Sequence, residues 1–345
     1  MTDSASAAGE NVAQGRGKAL MGVLVGGVFL ALVAFGTDWE GVWKSLASAR
    51  LAYLAPIAAV LVCHYFCKAL RWRVLLSGTT RLSPWMAFRL TMVGFLMNNV
   101  FPARIGELGR PYLLSANRPE VPFSFALATV VGDKLFDLVM VMGFLVATSL
   151  ELNLPAYVTT GVLVLAGASA AIVAVGFLAS FWERRERGKD ESASGFRRLA
   201  RRFGSRGDRV YDGVLGFARG MSTISSPGRA AAALVLSAVS FCFLAMAVAM
   251  TMLMLDIQPT AVSSFFVIGM TGIGFMLPSA PTNAGNFHFF AVSALTLSGA
   301  AGQDVALSFA LLSHATQVVL VTAVGAVSLV GLDWRRIRFA GEVAQ

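Results

Sequence analysis

The sequence predicts an all-α, polytopic integral membrane protein, and two observations carry that reading. Of its 345 residues, 56% are apolar and only 14% charged, against roughly 25% charged in ordinary soluble domains; the mean hydropathy is +0.69. The apolar residues also fall in charge-free runs. Ala19 to Thr37, Leu51 to Cys67, Leu152 to Trp182, Ala230 to Leu255, Ile257 to Gln303 and Val305 to Leu332 contain no Asp, Glu, Lys or Arg. Most reach the ~20 residues a helix needs to cross a bilayer core. They lack the period-two alternation of barrel strands, and bare backbone cannot sit in hydrocarbon, so the spans are expected to be helical. The same composition argues against a soluble enzyme.

The elements follow in order from the positive-inside rule. Residues 1–17 are small and polar and read as a disordered cytoplasmic N-terminus. Arg16 and Lys18 precede the first apolar run in the charge order of a signal peptide. No small-residue cleavage site closes that run, so an uncleaved helix running outward is expected. Leu51 to Cys67 returns, and Lys68, Arg71, Trp72 and Arg73 at its end read as an interfacial belt. Pro84 to Phe101 starts inside and is followed by a loop bearing Arg104, Arg110 and Arg118, so it is expected to enter and come back as a re-entrant hairpin. Phe123 to Leu150 then runs outward and Tyr157 to Phe181 inward. The stretch 183–209 reads as a basic cytoplasmic loop between halves, and its arginines lack the aromatic platforms that single-stranded nucleic acid stacks on, so no nucleic-acid partner is expected.

The second half mirrors the first. Ala230 to Leu255 runs outward, the neutral run 257–303 leaves and returns on the outer side, Val305 to Leu332 runs inward, and residues 333–345 form a cytoplasmic tail. The expectation is one transmembrane domain over residues 18–332. It contains about eight membrane segments, including two broken or re-entrant hairpins in an inverted repeat, and both termini lie in the cytoplasm of a cell (inner) membrane protein. A short internal match pairs the halves: Pro102-Ala-Arg-Ile-Gly106-Glu107-Leu108 against Pro281-Thr-Asn-Ala-Gly285-Asn286-Phe287, with Lys134 and Asp137 corresponding to His314 and Gln317. Inverted repeats with discontinuous helices form the central sites of many transporters.

The chemistry concentrates at the two breaks. Pro102 suits the first turn of a helix, and Arg104, Glu107 and Arg110 follow at intervals of three, on one face. A helix N-terminus within the membrane offers unpaired N–H donors, and Arg104 adds a fork matched to phosphate. With Asn98 and Asn99 just before it, this reads as a cradle for a lipid phosphate; the alternative is an interfacial loop whose arginines snorkel. Asp133, Lys134 and Asp137 interrupt an apolar helix, where ionisable side chains pair and face a polar cavity. Lys134 with Asp137, or Arg104 with Asp133, are the expected pairs; the alternative is a helix end that never reaches hydrocarbon. At the second break, Thr282 and Asn283 are candidate caps for the helix that follows, and His288 is a candidate proton carrier or a packing residue.

No phosphate-binding loop, His-Glu-x-x-His or Gly-x-Ser-x-Gly occurs, so no catalytic residue is assigned. The spacing of Cys63, His64 and Cys67 puts the histidine off the face the cysteines share, so no metal or other cofactor is expected.

Taken together, Leu70-Arg-Trp-Arg-Val-Leu-Leu76, the element from Asn98 to Arg110, Gly132-Asp-Lys-Leu-Phe-Asp137 and Leu277-Pro-Ser-Ala-Pro-Thr-Asn-Ala-Gly285 resemble the lysylphosphatidylglycerol synthase transmembrane-region family, also called flippase-like domain proteins. The resemblance covers about Lys18 to Leu332. Where that family often has Pro-Gly-Gly-x-Gly and then Glu, this sequence has Pro281-Thr-Asn-Ala-Gly285 and His288. Asp133-Lys134 stands where Asp-Arg is common. The resemblance implies a lipid flippase or transporter handling a polar-headed, phosphate-bearing lipid: a phospholipid, a hopanoid or a polyprenyl-linked lipid. The other readings are a membrane glycosyltransferase or its accessory subunit acting on polyprenyl-linked sugars, and a structural membrane partner of a peripheral enzyme. The synthases that name the family catalyse with a separate soluble domain. Only a short tail follows Leu332, so synthase activity is not expected.

Overall fold

A computed structural model describes residues 21–101, 104–186, 204–277, 280–330 and 332. The expectations for the N-terminal segment, for Pro102, for the centre of the basic loop and for the C-terminal tail lie outside the described residues. The first helix, α1 (Met21–Ala34), turns through 91° into α2 (Trp39–Ala47). Gly36, at φ +75°, supplies the turn, and the Asp38 carboxylate accepts from Glu40 N–H to cap α2. Then come α3 (Leu54–Leu76), α4 (Pro84–Val100), α5 (Gly106–Asn117), α6 (Phe123–Glu151) and α7 (Ala156–Glu186). After the undescribed centre of the basic stretch follow α8 (Gly204–Met221), α9 (Pro227–Met254), α10 (Ala261–Met276), α11 (Asn286–Leu297) and α12 (Gln303–Leu329). The basic stretch is thus helical at both its ends, which α7 and α8 occupy.

Among the described residues four elements, Leu51–Leu76, Ala156–Gly176, Pro227–Met254 and Gln303–Leu329, are long and apolar enough to cross a membrane, and the bent α1–α2 pair adds a fifth. The charges of Asp133, Lys134 and Asp137 distinguish α6 from these, yet its 29 residues extend ~43 Å at 1.5 Å per residue. Only 6% of the apolar window of α7 is buried inside the protein, so over Ala156–Gly176 this helix lies at the periphery with its side chains available to lipid.

Helices α3 and α9 pack against each other along their lengths, and they run antiparallel. Arg50 N–H donates to Met254 O at one end (2.9 Å); His64 meets Ser240 midway; Gly78 meets Arg229 at the other end. Around this pair the packing repeats itself. Helix α4 packs on α5 and α12, and α10 packs on α11 and α6; α8 packs on α6, and α2 on α12. These contacts pair off between the halves, as expected of two like halves placed head to tail.

Helix α4 opens on Ser83, whose hydroxyl accepts from Met86 N–H, followed by Pro84, which has no N–H to leave unpaired. It runs antiparallel to α5: Asn98 meets Gly106, and Gly94, a turn earlier in α4, lies against Arg110, a turn later in α5. Thr80 and Glu120 then meet side by side (3.4 Å), so the chain comes back to the face it left, as a re-entrant hairpin does. At the second break Gly274 lies against Asn286 and Phe290, and the Phe275 and Phe287 rings pack at 5.9 Å, so α10 and α11 form the equivalent hairpin. Helix α1 seals its tip: Gly26 meets Ala284 and Gly285, and Phe29 packs on Phe289 and Phe290.

The two ends of the bundle differ in charge. One end carries Arg73, Arg81, Arg89, Arg118, Arg219 and Arg229 beside Glu120. Arg73 donates to Leu82 O (2.7 Å), and Arg89 donates to Ser328 O (3.2 Å) and Val330 O, which ties the end of α12 to this face. The other end carries Asp38, Glu40, Glu151, Asp256 and Asp304 against Lys44 and Arg50.

Candidate functional site

The two breaks enclose one cavity. It has a volume of about 650 Å³ and is lined by Asn98, Asn99, Arg104 and Glu107 of the first break and by Thr282, Asn283 and Phe287 of the second. Lys68, Lys134, Asp137, His314 and Gln317 belong to its polar wall with His64, Tyr65 and Thr271, and Phe95, Leu138 and Val141 are among its apolar residues. Irregular backbone at membrane depth survives only where protein or a water-filled cavity satisfies it, and here both irregular segments face the same space. Arg104, Thr282 and Asn283 all have left-handed backbones, with φ of +55°, +62° and +61°. For Arg and Thr this conformation costs ~1–2 kcal/mol each, and such strain concentrates at functional sites.

The first break is held by its own side chains. Asn98 Oδ1 accepts from Gly106 N–H at 2.8 Å, satisfying a free donor at the start of α5, and its amide reaches Glu107 at 3.5 Å. Asn99 reaches Val318 O and Thr322 of α12. Among the described residues α5 starts at Gly106, so Arg104 sits on the turn before the helix. From there it donates to Phe275 O, joining the two breaks. It lies 3.5 Å from Glu107, which pairs more closely with Lys134 (2.8 Å).

The ion pairs therefore differ from the two expected. Lys134 pairs with Glu107, not Asp137, and Asp133 pairs with Arg71 (2.6 Å), not Arg104. Asp137 holds Lys68 at 2.8 Å and Arg71 at 2.8 Å. Arg71 also donates to Ser237 of α9 (2.8 Å). Nor do Lys68, Arg71 and Trp72 form an interfacial belt: Arg71 and Trp72 are fully buried and Lys68 nearly so. The reason is that α3 continues to Leu76, which carries Arg71 ~7 Å in from its end, against the charged turn of α6. Arg110 shares no face with Arg104 in practice. Its guanidinium stacks 3.8 Å from the Trp72 ring and lies 3.5 Å from Asp133, with its Nε and Nη2 buried and unpartnered.

At the second break the polar groups are neutral. Thr282 and Asn283 do not cap α11, because their left-handed backbone sits in a separate 3-10 turn (Pro281–Asn283); Gly285 occupies the cap position. His288 Nδ1 accepts from Gly285 N–H at 3.4 Å, so this buried ring braces the turn. It meets His314 edge to face at 4.8 Å. His314 Nε2 hydrogen-bonds Thr282 O (2.9 Å), and its ring stacks on Phe287. His64 of α3 also lines the cavity, its ring hydrogen-bonded to Ser240, while Cys63 is exposed.

Of the residues the sequence singled out, Asn98, Asn99, Arg104, Glu107, Lys134, Asp137 and Asn283 line the cavity. Asp133 and Arg110 stand behind its wall, and His288 stands behind His314. Sequence reasoning missed Lys68 and Arg71. The signal was their spacing, which puts both on one face of α3, complementary to Asp133 and Asp137 on one face of α6.

These features define a class: polytopic α-helical membrane proteins made of two opposed halves, each with a broken helix reaching a shared polar cavity. The chain belongs to the family described as the lysylphosphatidylglycerol synthase TM region, whose model matches residues 19–325. No curated protein and no solved structure matches it significantly.

Proposed function

We propose that the protein is a lipid flippase or transporter: the polar, phosphate-bearing headgroup enters the central cavity while the acyl chains stay in the bilayer. The observation that carries this reading is the single cavity shared by both breaks, charged at Arg104, Glu107, Lys134, Lys68 and Asp137 and otherwise largely apolar. Its volume falls within the range of small-ligand sites. A guanidinium fork suits a phosphate diester or monoester, and Arg104 stands where two broken helices meet. Two opposed halves offer two exchangeable arrangements, the basis of alternating access. The arginine-rich end is assigned to the cytoplasm by the positive-inside rule, with the second hairpin entering from the other side.

The test is translocation of a fluorescent phospholipid in reconstituted vesicles, read as loss of protection from a membrane-impermeant quencher. Arg104→Ala is expected to abolish translocation and Arg104→Lys to restore it in part, because an ammonium lacks the planar fork. Full translocation by folded Arg104→Ala protein overturns the reading.

A further inference from the structure

We propose that the headgroup taken by this cavity carries two negative charges, as a phosphomonoester or a diphosphate does, and not the single charge of a phosphodiester. This rests on the lipid reading above and narrows its substrate. The inference comes from counting the charges that touch one another. The charges fall into two clusters side by side along α5 and α6, Lys68, Arg71 and Arg110 with Asp133 and Asp137, and Arg104 and Lys134 with Glu107, each with one more cation than carboxylate. Five cations face three carboxylates, an excess of two positive charges.

The excess shows in the geometry as a shortage of acceptors. Arg104 and Lys134 share the single carboxylate of Glu107. Arg110 has one longer contact with Asp133 and a stack on the Trp72 ring, and two of its buried nitrogens have no hydrogen-bond acceptor. Asp133 and Asp137, for their part, are already committed to Arg71 and Lys68. Nothing at the second break compensates, since Thr282, Asn283, His314 and Gln317 carry no negative charge. The carboxylates at the acidic end of the bundle are engaged there: Asp38 accepts from Glu40 N–H, Asp256 pairs with Arg50 and Asp304 accepts from Asp38 N–H. A buried charge excess needs a counter-charge held close to it. An anion lodged between Arg104 and Lys134 supplies it from the cavity, whose wall Lys68 and Asp137 of the other cluster also reach.

Binding is measured by native mass spectrometry of the detergent-solubilised full chain at pH 8. Matched dioleoyl lipids serve as probes: phosphatidic acid (monoester), phosphatidylglycerol (diester) and phosphatidylcholine (no net charge). Phosphatidic acid is expected to bind at least about tenfold more tightly than phosphatidylglycerol. In Lys134→Gln, and independently in Arg104→Gln, that preference is expected to fall below about threefold, whereas Lys44→Gln at the far end retains it. A hundredfold excess of glycerol 3-phosphate is expected to leave the lipid bound. Equal affinity for phosphatidic acid and phosphatidylglycerol, both above phosphatidylcholine, overturns the dianion inference and leaves the lipid reading standing. Equal affinity for all three, or displacement by glycerol 3-phosphate at equal concentration, overturns the lipid reading itself. A retained preference in both folded variants removes the network as its source.

Discussion

Replacing Arg71 with Met removes a cation that no solvent can replace. The side chain is fully buried, and it holds Asp133 at 2.6 Å and Asp137 at 2.8 Å while bonding Ser237. Met fills most of the volume, so packing losses are small. The cost arises from Asp133, which keeps only the 3.5 Å contact with Arg110. Breaking a buried pair from one side costs ~3–5 kcal/mol, and the lost link to Ser237 adds ~1 kcal/mol. A double-mutant cycle with Asp133→Asn separates these contributions, because removing both charges leaves less unpaired charge behind. The expected coupling is ~1–3 kcal/mol. Equilibrium unfolding in mixed micelles measures each corner of the cycle. A loss below ~1 kcal/mol for Arg71→Met, or additive behaviour of the two changes, refutes the claim that this network holds α3, α6 and α9 together.

Two further outcomes follow from the same contacts. Gly285→Ala places a Cβ on a backbone with φ +87° and against the Gly26 carbonyl oxygen, and Gly106→Ala drives one into the Gly94 carbonyl oxygen. Each is expected to cost at least ~2 kcal/mol, whereas Gly143→Ala, with nothing within 4 Å, is expected to be neutral or slightly stabilising; thermal unfolding in detergent checks all three. Single cysteines introduced at Asn117 and Gln258 in a cysteine-free background should label from opposite sides of intact cells, with only the Gln258 site reached by an impermeant reagent. Labelling of both contradicts the re-entrant path of the first hairpin.

The spans were legible because a bilayer demands long charge-free runs, and α3, α9 and α12 coincide with them. The opposed halves were legible from the distribution of arginines, and the antiparallel contacts of α3 with α9 bear that out. The short match between Pro102–Leu108 and Pro281–Phe287 proved informative about placement, since the residues after both prolines line one cavity. What the sequence concealed was partnership. Lys68 and Arg71 sit beside Trp72 near a helix end, the usual composition of an interfacial anchor, and only the approach of α6 turns them inward. Local rules also misplaced a helix start. Thr282 and Asn283 suit a cap, but their left-handed backbones leave α11 to start at Asn286, as the left-handed Arg104 leaves α5 to start at Gly106. That geometry opens the space between the two breaks, and propensity alone contains no information about it.

The central claim is that a lipid headgroup enters this cavity, and in-membrane photocrosslinking tests it most directly. A photoreactive residue replaces Gln317 on the cavity wall in one protein and Val319, which is 67% exposed on the outer surface of the same helix, in another. The adducts are then identified by mass spectrometry. The account predicts phosphate-bearing headgroup fragments attached at position 317 and acyl-chain fragments at position 319. Acyl chains or water alone at position 317, in protein that translocates lipid, would contradict it.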